Sequence, residues 1–355
     1  MSTYGIDSHK LHLHPERVAQ WMRGETIYPL YMELSPSGAC NHRCTFCTMD
    51  FMGYRARFLD VEVMEQRLAE FGSLGVKAIM FAGEGEPLLN KHIDRLALAA
   101  HNAGINISFT TNAVLLKPEL SEKLLPVTSW IKVSCNAGTA ETYAAVHRTD
   151  AGDFDKVMAN MERAASIRAR DGYDCTLGFQ CILLPETGDE MVGLARRVRD
   201  LGADYLVIKP YTSHPQSISD PYRNIDYSCY DELALQLGEE ETKDFRVIFR
   251  RETMKRWDEK KNLFSECLAL PFWSYLDAEG NIWGCSRHLG QQEFLYGNIY
   301  SSTFKDVWNG EERRKSLAWC SQNLDVEACH VTCRMEVING YLWRLHHPEA
   351  HDNFI

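Results

Sequence analysis

The stretch YMELSPSGACNHRCTFCTMD, residues 31–50, joins a short β-rich run to a loop with three cysteines. Cys40, Cys44 and Cys47 lie within eight residues, separated by small or polar residues and one phenylalanine. Three thiolates on one loop are soft ligands that suit zinc or an iron–sulfur cluster. A structural zinc ion needs a fourth protein ligand, and no nearby residue is well spaced for that role. In a four-iron cluster, three cysteines leave one iron open to an exogenous ligand.

Around this loop, short β-rich runs alternate with segments of helical periodicity from residue 30 to residue 210. The predicted strands are 31–35, 77–83, 105–112, 130–135, 175–184 and 204–209. Helical patterns intervene, for example at 61–71 and 153–170. This alternation predicts right-handed crossovers and a parallel sheet, either an open doubly wound sheet or an incomplete barrel. In both, functional groups collect at the carboxyl ends of the strands.

The pattern changes after residue 236. Residues 272–285 predict a hairpin, residues 303–317 predict a short helix, and a cysteine-bearing tail follows. We expect the acidic stretch 237–245 to join two domains. The predicted organisation is an N-terminal extension (1–29), a partial barrel (30–235) and an auxiliary domain (236–355).

Composition narrows the class of protein. The 355 residues carry a formal charge of −11 and no Lys/Arg-rich run, so a nucleic-acid partner is not expected. No 18-residue apolar stretch exists and the N-terminus lacks the apolar core of a signal peptide, so we expect a cytoplasmic protein without a membrane span. In a reducing compartment, twelve cysteines indicate metal binding or catalysis rather than disulfides.

Further motifs follow the predicted strands in order. Phe46 precedes the last cysteine of the triplet, and Gly85-Glu86-Pro87 follows the second strand. TTNA (110–113) and VSCNAGTAETY (133–143) end the third and fourth strands. Residues 30–210 thereby resemble the radical S-adenosylmethionine (SAM) superfamily. One departure is Glu84, which replaces the first glycine of that family's Gly-Gly-Glu-Pro motif.

The resemblance implies a partial (β/α)6 TIM-type barrel that binds SAM and a [4Fe–4S] cluster. One electron from the reduced cluster would cleave SAM to a 5′-deoxyadenosyl radical, which abstracts hydrogen from a substrate carbon. The cluster ligands would be Cys40, Cys44 and Cys47. The implied SAM contacts are Gly85, Glu86 (methionyl amine), Asn112 and Ser134 (ribose or carboxylate), and the Phe46 backbone (adenine). Ordinary strand-end capping is the alternative interpretation of Asn112 and Ser134.

The C-terminal third holds five more cysteines, Cys267, Cys285, Cys320, Cys329 and Cys333. Their spacing resembles the SPASM extension of radical enzymes, with too few cysteines for its two auxiliary clusters. The shortened version, called twitch, keeps one auxiliary [4Fe–4S] cluster, and we expect one here. The predicted ligands are Cys267, Cys285, Cys329 and Cys333, with Cys329 favoured over Cys320 by its proximity to Cys333. A zinc site in this α+β domain is the alternative.

Cys320 then has two interpretations: a buried or remnant thiol, or a hydrogen-atom donor to a substrate radical. Lys209, at the end of the sixth strand, is a candidate to bind a carboxylate or phosphate, or to remove a proton if burial depresses its pKa. An ordinary ion pair with a carboxylate is the alternative for Lys209. Other candidate polar contacts are Tyr211 and His214, and more weakly Arg148, Arg287 and His288, for which surface placement is the alternative.

Two chemistries fit a radical enzyme with one auxiliary cluster. In a dehydrogenation, the substrate radical loses a proton and gives an electron to the auxiliary cluster; in an epimerisation, a cysteine returns hydrogen to the opposite face. We predict the first, on a small polar metabolite of the sugar or aminocyclitol type, with flavodoxin or ferredoxin as electron donor. Peptide modification is less favoured, because the first thirty residues are too few for a leader-binding domain. An electron carrier or zinc-stabilised binding module is the non-enzymatic alternative, and it would not produce 5′-deoxyadenosine.

Overall fold

A ten-stranded sheet organises the chain in the computed structural model, which describes residues 6, 8–259, 264–329 and 332–354. Its strand order is β10-β9-β8-β1-β2-β3-β4-β5-β6-β7. All pairs from β8 through β1 to β7 are parallel, and β9 and β10 are antiparallel additions. The strands are β1 Tyr31–Leu34, β2 Ala78–Phe81, β3 Asn106–Thr111, β4 Trp130–Ser134, β5 Thr176–Ile182, β6 Tyr205–Lys209, β7 Arg246–Phe249, β8 Trp273–Leu276, β9 Asn281–Trp283 and β10 Leu295–Asn298.

Helices separate the parallel strands, as the alternating pattern predicts. They are α1 Pro15–Met22, α2 Val61–Ser73, α3 Ile93–Asn102, α4 Pro118–Leu124, α5 Ala140–His147, α6 Gly152–Asp171, α7 Met191–Asp200, α8 Asp231–Glu239, α9 Arg251–Glu259, α10 Phe304–Asn309, α11 Glu311–Asn323 and α12 Glu336–His346. Local signals set their starts: the Asp60 side chain accepts a hydrogen bond from the Val63 amide at 2.9 Å and caps α2. The six predicted strands and the partial TIM-type barrel are confirmed.

The two faces of the parallel strands differ in chemistry. One face packs on the helices and is apolar, as with Ile131 and Val133 of β4, which are 0% exposed. The other face lines the inside of the curved sheet, and its residues are partly accessible and polar in several strands; they include Thr110, Lys132, Ser134, Gln180 and Lys209. We call this space the lumen. Because TIM barrels normally fill their interior with branched apolar side chains, a polar, accessible lumen indicates a binding cavity.

The parallel series continues beyond the six predicted strands. β7 pairs with β6 in parallel, with Ile208 opposite Phe249. The acidic stretch 237–245 therefore spans the end of α8 and the connection to β7, inside the strand–helix series, rather than between two domains. The proposed boundary at residue 235 falls ahead of a strand that belongs to the barrel sheet.

The predicted hairpin at 272–285 is present and extends the same sheet. β8 and β9 pair antiparallel, and β8 also pairs in parallel with β1, with Tyr31 opposite Trp273. The single helix predicted at 303–317 is instead two, α10 and α11, because Gly310 leaves the helical conformation with φ −67° and ψ 165°.

The N-terminal extension packs on the C-terminal helix. Trp21 of α1 stacks on His346 at the end of α12, with ring centroids 4.5 Å apart. Val18 and Leu342 belong to the apolar cluster that fixes this contact. α1 and α12 thus meet beside β1 and β8.

Candidate functional site

The cysteine loop of residues 40–47 is attached by its backbone to the end of α5. The amides of Arg43 and Thr45 donate to the carbonyls of His147 and Val146 at 3.1 and 2.8 Å. Farther along, Asp50 accepts hydrogen bonds from two amides of the segment after β6. These bonds fix the loop over the carboxyl ends of the strands, where the sequence predicts it.

The three thiols are close enough to interact electrostatically. Burial, then the nearby Glu86 carboxyl, raises the pKa of Cys40 to about 12, and burial and the other two thiols raise that of Cys44. The His42 amide points to Cys40 Sγ at 3.5 Å, and the Met49 amide hydrogen-bonds Cys47. Partly buried thiols supplied with N–H donors suit a metal, because a cation restores the thiolate and N–H groups stabilise its charge. The three cysteines therefore fit an iron–sulfur cluster.

The His147 side chain also contacts this loop, at Cys44. The Asn136 amide donates to His147 Nε2 at 3.2 Å, so that nitrogen carries no proton. Burial lowers the pKa of His147 well below its ordinary value, and the neutral ring keeps its proton on Nδ1. Nδ1 lies 3.3 Å from Cys44 Sγ, and it therefore donates a hydrogen bond to that sulfur.

A second group of side chains with potential metal-ligand atoms lies near the loop. The ligand atoms of His42, Cys44 and His147 lie within 4.8 Å of one another. Yet Nε2 of His42 is 3.3 Å from the Asp153 carboxylate, and His147 uses one nitrogen as acceptor and the other as donor to Cys44. The grouping supports the cysteine loop and does not form a separate metal site.

The Gly85-Glu86 turn lies directly against the segment that precedes Cys40. The Glu86 amide donates to the Ala39 carbonyl at 2.8 Å, and a side chain on Gly85 would clash with the carbonyl oxygens of Ala39 and Ser37. Glu86 is buried beside Cys40, and its carboxylate accepts hydrogen bonds from the Asn112 amide (2.8 Å), the Leu88 amide and the Thr111 hydroxyl. Only glycine permits this approach of two backbones.

The other predicted SAM contacts lie at the same edge of the sheet. The Asn112 side chain accepts from the Val114 amide at 3.1 Å and donates to Asn41 at 2.7 Å, so it caps the strand end and reaches the cysteine loop. Ser134 lies on the lumen side of β4 and is partly accessible. The Phe46 ring packs edge-on against His147 at 5.2 Å, which directs the side chain into the core.

Four C-terminal cysteines meet in a second cluster of thiols. Burial raises the pKa of Cys285 well above its ordinary value, followed by the effects of Cys333 and Cys267, and Cys329 also contributes. Asn339 Nδ2 is 3.6 Å from Cys267 Sγ, and the Met335 amide is 3.4 Å from Cys333 Sγ. These N–H donors again suit thiolates bound to a metal.

Cys320 occupies a different environment. It is 4% exposed on α11 and packs in an apolar cluster with Leu270, Trp283 and Phe294. Its pKa is raised to about 12 by burial, and of the cluster thiols only Cys329 influences it. This placement favours the buried-thiol interpretation, because a substrate carbon has no access to the sulfur.

The other sequence candidates divide into structural and peripheral residues. Tyr211 is 0% exposed, and His214 is buried with its ring stacked on Phe51 at 4.6 Å. Arg148 is exposed at the end of α5. Arg287 bridges the Ser213 and Ala328 carbonyls beside the second thiol group, and His288 hydrogen-bonds Gln291.

Lys209 reaches the lumen at the end of β6. Burial, followed by repulsion from Arg250, lowers its pKa to about 8. Sequence reasoning missed its neighbour Lys132, whose pKa is lowered to about 7, chiefly by burial and then by Lys209. The available signal was a lysine between two apolar residues in the predicted strand 130–135.

Comparison with known proteins matches two families to this arrangement. Residues 34–198 match the radical SAM superfamily, and residues 267–334 match an iron–sulfur cluster-binding domain, SPASM. A GTP 3′,8-cyclase of Chlorobaculum tepidum is 27% identical over 188 residues, which cover 52% of this chain and 55% of that protein. The enzyme of the same name from Pseudomonas putida is 28% identical over 218 residues, 60% of this chain and 62% of its own. The chain thus spans less than two thirds of the length of these curated relatives.

Solved structures share the fold. Streptococcus suis SuiB bound to S-adenosylmethionine has a TM-score of 0.66 at 17% identity, over 85% of this chain and 70% of SuiB. The structure of anSMEcpe with bound AdoMet has a TM-score of 0.55 at 17% identity, over 82% and 84% of the two chains. Within the described ranges, no helix combines the length and hydropathy needed to cross a lipid bilayer.

An incomplete parallel barrel with a three-thiol loop after its first strand, followed by a second thiol group, defines an iron–sulfur enzyme of radical type. Residues 34–198 form a radical SAM domain, and residues 267–334 form an iron–sulfur cluster-binding domain of the SPASM type. Its cofactors are S-adenosylmethionine, the [4Fe–4S] cluster of that superfamily and an auxiliary cluster in the SPASM domain.

Proposed function

We propose that this protein oxidises a small polar metabolite by two electrons, a dehydrogenation, with the substrate held in the barrel lumen. When bound, SAM and the reduced cluster supply a 5′-deoxyadenosyl radical that abstracts one hydrogen atom from a substrate carbon. For a secondary alcohol, loss of the hydroxyl proton and of one further electron then completes the conversion to a ketone. A sugar or aminocyclitol meets this requirement.

One observation carries the proposal: Cys267, Cys285, Cys329 and Cys333 form a group of four thiols. Four thiolates satisfy every iron of a [4Fe–4S] cluster, which leaves that cluster no open iron for a substrate. Electron acceptance is the role that remains for it. A redox-neutral epimerisation needs instead an accessible hydrogen donor, and the predicted donor, Cys320, is buried.

Lys209 supplies the proton acceptor in this proposal. Its pKa of about 8, lowered mainly by burial, leaves a useful fraction of neutral amine near neutral pH. Among the described residues, no carboxylate forms an ion pair with its ammonium group, so the ion-pair alternative is not supported there. Lys209 is therefore available to take the proton that the substrate radical loses.

A second candidate function is a ring closure or rearrangement. The curated relatives are named GTP 3′,8-cyclases, and the likeness covers 52–60% of this chain in the two cases above. Such a reaction would also begin with hydrogen abstraction and would use the lumen in the same way. The products separate the two functions, since only the dehydrogenation gives a carbonyl compound two mass units lighter than its substrate.

The first experiment is anaerobic reconstitution with iron and sulfide, followed by reduction with dithionite or with flavodoxin or ferredoxin, the proposed physiological donors. The wild type should bind about eight irons, four per cluster, and form 5′-deoxyadenosine. A Cys40/Cys44/Cys47→Ala variant should bind about four and form none. If the wild type is active but binds only about four irons, it has no auxiliary cluster, and the proposed dehydrogenation is wrong.

The ligand assignment has its own matched pair. Cys329→Ala should lower the iron content by up to four or leave a damaged cluster with an altered electron paramagnetic resonance (EPR) signal. Cys320→Ala should keep the iron content and the EPR signal of the wild type. The reverse result would exchange the roles of the two cysteines.

A further inference from the structure

An ion pair connects the barrel sheet with the C-terminal cysteine segment. Glu33 lies in β1 between Met32 and Leu34, which are 0% exposed and pack on the helices. The alternation of a strand therefore places Glu33 on the lumen face. Its carboxylate pairs with the guanidinium of Arg334, the residue directly after Cys333. The pair thus runs from the first barrel strand to a predicted ligand of the auxiliary cluster.

Two aromatic side chains also contact the Arg334 guanidinium. It donates a hydrogen bond to the Tyr31 hydroxyl at 2.7 Å, and its Cζ atom lies 5.8 Å from the centre of the Tyr31 ring. The Trp273 ring, on the neighbouring strand β8, lies 6.0 Å from the same atom. Tyr31 and Cys333 both pack against the apolar cluster that contains Trp273. Arg334 therefore has contacts besides Glu33 that keep it beside the cysteine segment.

The two charges of the pair act on groups on either side of it. Burial raises the pKa of Cys333 to about 11, and the Met335 amide and the positive charge of Arg334 act against that rise. Burial lowers the pKa of Lys209 to about 8, and the negative charge of Glu33 acts against that fall. The pair is thus within electrostatic range of both the proposed proton acceptor and a predicted ligand of the electron acceptor.

A purely structural role is the simpler interpretation of the pair. Backbone pairing already joins the two segments, with Tyr31 opposite Trp273 and Glu33 opposite Tyr275. The Glu33 side chain is 8% accessible and that of Arg334 is 40% accessible. An ion pair with a buried partner adds little net stability, because the charges lose hydration. Joining β1 to the C-terminal segment therefore does not by itself account for a charged pair.

Two other charged groups near these thiols have their own partners. Arg287 acts on three of the four thiols and donates to two backbone carbonyls. Glu336, two residues after Arg334, pairs with Arg256 at 2.9 Å. Arg334 differs from both, because its counter-charge, Glu33, comes from a barrel strand.

We propose that the Glu33–Arg334 pair sets the reduction potential of the auxiliary cluster: the charge of Arg334 raises the potential, and the carboxylate of Glu33 moderates that rise. This inference rests on the proposed function for the role of the cluster as electron acceptor. A cluster becomes more negative by one charge when it is reduced, so a nearby cation favours the reduced form and a nearby carboxylate opposes it. Arg334 acts through Cys333 and is a positioning residue.

The test is an EPR-monitored potentiometric titration of the reconstituted protein without substrate. The auxiliary cluster is identified as the signal that the Cys40/Cys44/Cys47→Ala variant retains. Arg334→Met should make its midpoint more negative, because the cation is lost. Glu33→Gln should make the midpoint more positive, because Tyr31 and Trp273 still hold a guanidinium that has lost its counter-charge.

Two further variants serve as controls. Arg334→Lys keeps the charge and should restore most of the wild-type midpoint. Arg344→Met should leave the midpoint unchanged, because Arg344 lies on the exposed side of α12 and pairs with Glu349 and Asp352.

Opposite shifts distinguish an electrostatic role from damage to the structure. Distortion of the ligand segment would move both midpoints in the same direction or lower the iron content of both variants. Unchanged midpoints at full iron content, or shifts of the same sign, overturn the proposal. If Arg334→Met loses the cluster, Glu33→Gln and Arg334→Lys decide, and a Glu33→Gln midpoint that does not rise overturns the proposal.

The inference and the proposed function fail separately. The midpoints are measured without turnover, so they do not depend on the reaction. If the opposite shifts are found but the wild type forms no carbonyl product from any sugar or aminocyclitol, the dehydrogenation fails and the role of the pair stands. If the product forms and the midpoints do not move, the dehydrogenation stands and the role of the pair fails.

Discussion

Glu84 departs from the family motif and makes a structural contact of its own. It stands where the Gly-Gly-Glu-Pro motif has its first glycine, yet the required close approach is made by Gly85. The Glu84 side chain turns the other way and accepts a hydrogen bond from the Ala278 amide at 2.8 Å. A residue next to the predicted SAM contacts Gly85 and Glu86 thereby holds the β8–β9 turn of the C-terminal domain.

The same contact predicts a pH dependence of stability. Burial is the main cause that raises the pKa of Glu84 from 4.5 to about 7, so the folded protein holds a proton that the unfolded chain releases between those values. The contribution of Glu84 to the free energy of unfolding is therefore greatest below pH 4.5 and decreases as the pH rises toward 7. Between pH 5 and pH 7, the melting temperature of Glu84→Gln should fall less than that of the wild type. Glu119→Gln, at an exposed position, should follow the wild type.

His147 predicts a change in redox behaviour. Its Nδ1–H donates to Cys44 Sγ, and hydrogen bonds to cluster sulfurs raise the reduction potential. His147→Leu should therefore make the SAM-binding cluster harder to reduce, with a more negative midpoint in an EPR-monitored potentiometric titration. His147→Gln, which can still donate, should restore part of the difference. Equal midpoints at equal iron content would contradict this role.

Individual site residues were predictable to different degrees. The predicted cluster ligands Cys40, Cys44 and Cys47 can be found from their spacing, because ligands on one loop are close in sequence. Lys132 does not, since its meaning depends on which face of β4 looks into the lumen and on cations from β6, β7 and the C-terminal domain. Charge balance in a cavity is a property of the fold.

At the scale of elements, the Gly85-Glu86 turn controls the cysteine loop through backbone contact. Gly85→Ala should destabilise the protein by several kcal/mol, because the new methyl group meets the fixed carbonyl oxygens of Ala39 and Ser37. Urea unfolding measures this loss, and cluster loading should fall with it. Gly193→Ala in α7 is the control: its methyl group would meet nothing within 4 Å, and it should be neutral or stabilising by up to about 1 kcal/mol.

Some elements followed from local pattern and others did not. Strands β1 to β6 each form a run of β-favouring residues between turn signals, and α2 shows its apolar face in sequence. β7 was missed because its four residues, RVIF, follow a charged stretch that reads as a solvated linker. The break between α10 and α11 depends on the backbone conformation of Gly310. The sequence does not predict this break, because glycine also occurs inside helices.

At the scale of the whole molecule, an ion pair connects the helix after β7 with the C-terminal helix. Arg256 of α9 pairs with Glu336 of α12 at 2.9 Å, and the Glu336 side chain is only 6% accessible. In the described part of the chain, the edge strands β7 and β10 do not pair with each other. This ion pair thus ties the C-terminal helix to the helix that follows the last barrel strand.

Shared hydrogen bonding predicts one unfolding unit. Because β8 pairs with β1, the reconstituted protein should melt in a single transition followed identically by circular dichroism and by the visible absorbance of the clusters. A fragment of residues 1–235, the predicted N-terminal extension and barrel domain together, should remain unfolded or aggregate, since it lacks β7 and β8. Two separate transitions, or a soluble and cooperative fragment, would show that the domains are independent.

The pairing of β1 with β8 also sets an order of events during synthesis. Tyr31 leaves the ribosome long before its partner Trp273, which follows 242 positions later. At about 5–20 residues per second, β1 waits roughly 12–50 s with one edge unpaired. An unpaired strand edge attracts other strands, so the growing chain is most exposed to aggregation during this interval. Slow translation of the last third would therefore lower the yield of folded protein even when every residue is correct.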